Sequence, residues 1–257
     1  MTEYLTIDVM GAPLWKFAAS AVAILLAGFM RSFTGFGFAL IAVPALALIL
    51  PPQMIVPVVL ALEVITGAQL YRGAAPFADK EVLKRFSWPA VITLPLGVWL
   101  LRELSDDDMR LVLIGVMIST VVLFALGSFL TRGGRAPSPI AAYGAGGLSG
   151  ALCGATGIPG PPVIAYTMSS NWEPVRQRAT MILYFIVIDV ATLVAMFFTG
   201  LATVETLIKA AALLPALLAG NFVGSAAFKR WGGDAYRPVA FGILIVIGIG
   251  LAIQVSL

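Results

Sequence analysis

Arg31 stands just before Ser32-Phe33-Thr34-Gly35-Phe36-Gly37 with apolar sequence on either side. A cation at membrane depth is expensive, so an internal partner or an anionic substrate is its functional reading, and snorkelling to the nearer interface is the bland one. Its planar guanidinium fits carboxylate, sulfonate or phosphate oxygens. A second motif, Cys153-Gly154-Ala155-Thr156-Gly157-Ile158-Pro159-Gly160-Pro161-Pro162, has similar chemistry. Thr34 and Thr156 offer hydroxyl donors, and Gly35, Gly37, Gly157 and Gly160 let a ligand approach backbone amides closely. Together these residues form a candidate anion seat.

Two acids interrupt apolar runs: Glu63 within Leu60–Ile65 and Asp189 within Ile186–Val190. Such carboxyls can hold and release a proton, bond between helices, or pair with Arg31. Gln69 and Asn221 read more simply as polar glue between helices. Arg176 and Arg178, after Asn171-Trp172-Glu173-Pro174, are either interfacial anchors or an electropositive vestibule for anions.

The chain contains no histidine and a single cysteine, Cys153. Histidine acid–base catalysis, Ser-His-Asp triads and the common metal sites are thereby excluded, so neither an enzyme nor a metal or other cofactor is expected. A Gly-x-x-x-x-Gly-Lys-Ser/Thr signature is absent, which argues against direct ATP drive.

The elements that must position these groups are hydrophobic throughout. Of 257 residues, 60% are hydrophobic and 11% charged, and mean hydropathy is +0.99. Charged residues make up about 25% of ordinary soluble domains. The composition therefore predicts an all-α integral membrane protein, a single membrane domain over 1–257. A net charge of +3 reflects basic residues flanking spans rather than nucleic-acid binding. Phe17–Met30 could be taken for a signal peptide, but no clear cleavage site follows and the apolar character resumes at Phe38–Leu50.

Six runs read as simple spanning helices: Met54–Tyr71, Phe86–Leu101, Leu111–Leu130, Ala179–Phe198, Leu207–Phe228 and Val239–Val255. Ala18–Leu50 and Ile140–Ser170 are too long for one crossing and are interrupted by glycine and proline, so both are expected to be broken helices. Placing Thr34 on Thr156 shifts the chain by 122 residues and brings Leu94-Pro95 near Leu214-Pro215. The pattern reads as two repeats, about 17–130 and 139–255, joined by a loop over 131–138.

Charge counting favours re-entrant hairpins. If both broken elements enter and leave on one side, eleven basic residues (Arg72, Lys80, Lys84, Arg85, Arg132, Arg135, Arg176, Arg178, Lys229, Arg230, Arg237) share a face and four lie opposite. The richer face is the cytoplasmic one. Three crossings per half then make the repeats inverted, and the two hairpins dip from opposite faces; a first element that crosses, with Lys16 inside, gives twelve to three but breaks the symmetry of the repeat. Irregular backbone at that depth must be buried or line a cavity, and half-helix N-termini suit an anion.

The chain resembles the TauE/SafE sulfite-exporter family through Thr34-Gly35-Phe36-Gly37 with Pro44, and through Thr156-Gly157-Ile158-Pro159-Gly160-Pro161-Pro162 running to Arg176 and Arg178. The resemblance spans roughly Ala18 to Leu251. It implies a bacterial cytoplasmic-membrane transporter of small, often sulfur-containing anions such as sulfite, sulfoacetate or other organosulfonates. Phe36 and Phe38 stand where many relatives are richer in glycine, implying a narrower or more apolar pocket on that side. The resulting expectation is a secondary anion transporter whose partners are the anion, the lipid bilayer and, as candidate coupling ion, the proton. A passive anion channel and a small-carboxylate transporter are the alternatives.

Overall fold

The computed structural model describes residues 13–34, 37–130, 138–170 and 172–231. The described secondary structure is helical: α1 (Leu14–Thr34), α2 (Phe38–Ala47), α3 (Pro52–Ala74), a 3-10 turn (Ala75–Phe77), α4 (Lys80–Glu103), α5 (Asp106–Leu130), α6 (Pro139–Thr156), α7 (Gly160–Met168), α8 (Pro174–Phe198) and α9 (Val204–Trp231). The expected crossing over Val239–Val255 lies outside the described residues. Among the described residues, four stretches are long and apolar enough to span a membrane: Leu14–Ser32, Pro52–Phe77, Val175–Phe198 and Val204–Ala227. The two long segments interrupted by glycine and proline are the ones that break, into α1 with α2 and α6 with α7. Because α1 starts at Leu14, its first half is longer than the half-span a symmetric hairpin would need.

Local chemistry sets the helix ends. Asp79 caps α4 by accepting from the amides of Glu81 and Val82 at 3.0 and 3.1 Å. Ser105 and Asp108 cap α5 reciprocally, and Ser138 accepts from Ala141 N at 3.2 Å to start α6. α6 ends at Gly157, whose φ of 68° places it in the left-handed region that a side chain would disfavour. Gly157 N donates to Cys153 O at 2.8 Å. Pro159 then leads into α7. Across the first break, Gly37 with φ 90° precedes α2.

Glycines also draw helices into backbone contact. A methyl group at Gly146, Gly150 or Gly154 would lie 2.2–2.3 Å from the carbonyl oxygens of Phe86, Ala90 and Leu94, respectively. Each step of four along α6 matches a step of four along α4, so these two helices run in the same direction. Gly220 and Gly224 meet the carbonyls of Leu25 and Phe29 in the same manner, which makes α1 and α9 parallel. Gly67 packs on Ile186, and Ala74 clusters with Ala179 and Ile182, so α3 and α8 are antiparallel. This small-residue packing is how membrane helices approach without a hydrophobic driving force.

The buried centre is built around Phe38, Leu60, Phe86 and Tyr184. Phe86 meets Tyr166 and Tyr184 edge to face at 5.2 and 5.3 Å. Trp88, Ile92 and Trp99 of α4 face outward, as lipid-facing side chains do.

Candidate functional site

Helix directions bring both breaks to the middle of the bundle, beside the midpoints of α3 and α8. Arg31, in the last turn of α1, donates from Nη1 to Glu63 Oε1 at 2.6 Å, and the two side chains are 4% and 5% exposed. The same Glu63 oxygen accepts from Ala39 N at 3.3 Å. Glu63 thus caps the N-terminus of α2 from a different helix, placing its charge where the dipole favours an anion. Arg31 Nε is buried and finds no partner among the described residues.

Asp189 is buried on α8 and interacts with both Glu63 and Arg31. The Cys153 thiol reaches Asp189 Oδ1 at 3.7 Å and lies 3.3 Å from Thr192 Oγ1, which donates to it. Carboxyls from α3 and α8 therefore lie near one guanidinium, Glu63 bonded to it and Asp189 within its electrostatic reach.

A cavity of ≈ 30 Å³ lies between the breaks, lined by Gly37, Ala39, Leu40, Glu63, Ile158, Pro159, Gly160, Pro161, Ile164 and Phe185. Room on this scale suits about two water molecules. Its walls are apolar apart from Glu63 and backbone groups. The charged lining residue is an acid, which is the opposite sign from that expected of an anion seat.

Several site residues named from sequence are gathered here and others are not. Arg31 and Glu63 meet directly, Asp189 joins them, and Gly37 and Gly160 line the cavity. Gly157 shapes the turn and packs against Val56 of α3, where a methyl would come within 3.3 Å. Thr156 turns inward: its hydroxyl donates to Leu152 O at 2.7 Å and accepts from Ile158 N at 3.3 Å. That hydroxyl holds the break together rather than facing the cavity. The side chain of Thr34 and all of Gly35 lie outside the described residues.

At the basic end, Arg176 pairs with Asp79 and lies over the Trp172 ring, 4.8 Å from its centroid. Arg178 is exposed on the rim of a groove with Phe77 and Ile182. Asn221 Oδ1 accepts from Ser32 Oγ at 3.1 Å, the interhelical role its sequence setting implied, whereas Gln69 is exposed.

Sequence reasoning passed over Ser149 and Tyr184. Tyr184 OH donates to Ser149 Oγ at 2.8 Å, and Ser149 donates to Pro159 O at 2.5 Å. This buried relay fixes the start of α7 against α6 and α8. A serine amid the glycines of α6 was the available signal, because a hydroxyl buried between helices must find partners.

Comparison with known proteins identifies the family. Residues 20–251 match the family model described as sulfite exporter TauE/SafE. The chain is 25% identical over 234 residues to a protein of Cupriavidus necator named probable sulfite/organosulfonate exporter TauE, covering 87% of this chain and 88% of that one. No solved structure matches it. With a family match running through both broken elements and the helices between them, the chain belongs to the sulfite exporter TauE/SafE family.

Proposed function

We propose that this protein is a secondary transporter of small sulfur-containing anions, such as sulfite, sulfoacetate or another organosulfonate, in a bacterial cytoplasmic membrane. The observation that carries this reading is the buried Arg31–Glu63 pair at the N-terminus of α2, beside the cavity between two broken helices. A guanidinium, a helix N-terminus and close glycine backbone are the donor types that bind sulfonate oxygens. The name of the Cupriavidus relative supports the sulfur-containing substrate class.

The proposed ligand set is Arg31, Gly37 and Gly160, with Thr34 and Gly35 retained on sequence grounds. Thr156 and Gly157 act by shaping the second break, and Arg176 and Arg178 guard its basic mouth. Parallel packing of α1 with α9 and α4 with α6 supports inverted repeats whose hairpins enter from opposite faces. The cavity lies between two broken helices, which supports motion of the hairpins and hence alternating access rather than an open channel. Glu63 and Asp189 are the proposed proton carriers.

Reconstituted proteoliposomes test the reading. Labelled sulfite or sulfoacetate is expected to accumulate when a pH gradient is imposed, and Arg31→Ala is expected to abolish accumulation. Equal accumulation by wild type and Arg31→Ala would refute the binding role, and flux indifferent to the pH gradient would remove the coupling.

A further inference from the structure

Glu63 already occupies the position that an oxyanion would take. A single carboxylate oxygen accepts from Arg31 Nη1 at 2.6 Å and from Ala39 N at 3.3 Å, and Glu63 also lines the cavity between the breaks. Side chain and backbone donors at one atom form the pattern by which a protein would hold a sulfonate or sulfite oxygen. At the facing half-helix, Pro161 and Pro162 lack amide hydrogens, so α7 cannot offer an equivalent run of donors. The α2 end is the better seat, and it is taken by a tethered acid.

The charges around this seat are few and can be named. Arg31 comes from α1, Glu63 from α3, Asp189 from α8 and the Cys153 thiol from α6. α2 carries no titratable side chain. On α5, Arg110 pairs with Asp107 in the first turn, and on α9, Lys209 pairs with Glu205 in the first turn. From α7 and α4, Tyr166 and Phe86 stack on each other. Among the described residues, one fixed cation therefore faces two carboxyls. Adding an anion to this centre without adding a proton would leave an extra buried negative charge, which a low-dielectric interior strongly disfavours.

We propose that Glu63 is a built-in competitor for the substrate, a carboxylate that holds the anion seat until a transported oxyanion displaces it from Arg31 and the α2 N-terminus. The displaced carboxyl takes one proton from solvent, and Asp189 shares that proton within the pair, so anion and proton enter the site together. This rests on the anion-transport reading and adds to it the identity of the coupling event. It also gives the apolar cavity a selective function, since an anion enters only by replacing a charge already solvated by the protein.

Purified protein with methanesulfonate, a sulfonate that stays ionised across the neutral range, provides the test. Isothermal titration is expected to show affinity rising about 10-fold per unit fall in pH, the slope of one linked proton. A pH indicator in weak buffer should register uptake of one proton per anion bound by the wild-type protein. Glu63→Gln removes the competing charge, and its binding is expected to be pH-independent and at least about 10-fold tighter than wild type at alkaline pH. Proton uptake by the wild type is read without any substitution, so the test survives if Glu63→Gln fails to fold. Binding without proton uptake, or with the same pH slope in Glu63→Gln, overturns the competitor role and leaves the transport reading standing. Absence of binding by wild type and variant alike, with methanesulfonate and with sulfite and sulfoacetate in the same titration, overturns the transport reading and this inference with it.

Discussion

Arg31 and Glu63 meet at 2.6 Å in the buried centre of the bundle, tying the helix before the first break to the middle of α3. A buried ion pair is a poor source of net stability, yet removing one partner strands the other charge at a cost of about 3–5 kcal/mol. Arg31→Met, which leaves Glu63 and Asp189 without their cation, is expected to lower the melting temperature in detergent more than Glu63→Leu, which leaves Arg31 beside Asp189, and the double variant to recover part of the Arg31→Met loss. Thermal unfolding of the three variants checks this, with additive losses as the contrary result.

Much of this arrangement is legible in the sequence, for physical reasons specific to each residue. Gly157 and Pro159 dictate backbone directions within a few residues, so the second break can be read locally. Glu63, Asp189 and Arg31 stand out as charges that apolar runs do not tolerate without a partner. That Glu63 caps α2 is hidden, because the contact with Ala39 spans 24 residues and depends on how α3 packs across the break. The inward turn of the Thr156 hydroxyl is hidden too, since a threonine beside a break bonds its own backbone as readily as a ligand. Gly146, Gly150 and Gly154 carry a four-residue spacing that signals close helix packing, but not which helix they meet.

That spacing yields a graded prediction. A methyl group at Gly150 would stand 2.2 Å from Ala90 O, whereas one at Gly147 would stand 3.7 Å from the Pro89 side chain and one at Gly115 would meet nothing within 4 Å. Gly150→Ala must force α4 and α6 apart and is expected to destabilise by about 1–3 kcal/mol. Gly147→Ala should be tolerated, and Gly115→Ala should match or exceed wild type by up to about 1 kcal/mol, since glycine is a poor helix former. Chemical denaturation of the three in the same detergent ranks them, and equal stability of Gly150→Ala and Gly147→Ala would contradict the packing argument.

Asp79 links the start of α4 to α8 at the basic end and sets a pH dependence. Partial burial works against its ionisation, but the Arg176 guanidinium and the amides of Val82 and Glu81 outweigh it and hold the carboxyl below the ordinary aspartate value of 3.8. A depressed carboxyl contributes stability that is fully present above 3.8 and lost as pH falls through the lower folded value. The link is therefore intact at neutral pH and released only in acid. Because Arg176 is 51% exposed, its contribution is at most about 1 kcal/mol, so a local probe is preferable to a melting curve. Trp172 lies under the guanidinium, and its fluorescence, taken as wild type minus Trp172→Phe, is expected to change on acidification. In an Asp79→Asn background the acid-type signal should already be present at neutral pH.

The relay from Tyr184 through Ser149 to Pro159 gives two substitutions with unequal effects. Tyr184→Phe removes one donor and leaves Ser149 still bonded to Pro159 O, at a loss of about 1 kcal/mol. Ser149→Ala strands both the Tyr184 hydroxyl and the Pro159 carbonyl in a buried setting, each carrying a desolvation cost of about 1–3 kcal/mol. Ser149→Ala is therefore the more damaging change, although it removes fewer atoms from a fully buried site than most core truncations. Pro159 lines the cavity, so the loss should reach function as well: weaker anion binding by Ser149→Ala than by Tyr184→Phe, with the pH slope of binding unchanged in both because Arg31, Glu63 and Asp189 remain. Titration calorimetry at two pH values separates the outcomes, and a slope altered by Ser149→Ala would mean that the relay acts on the carboxyl pair rather than on the start of α7.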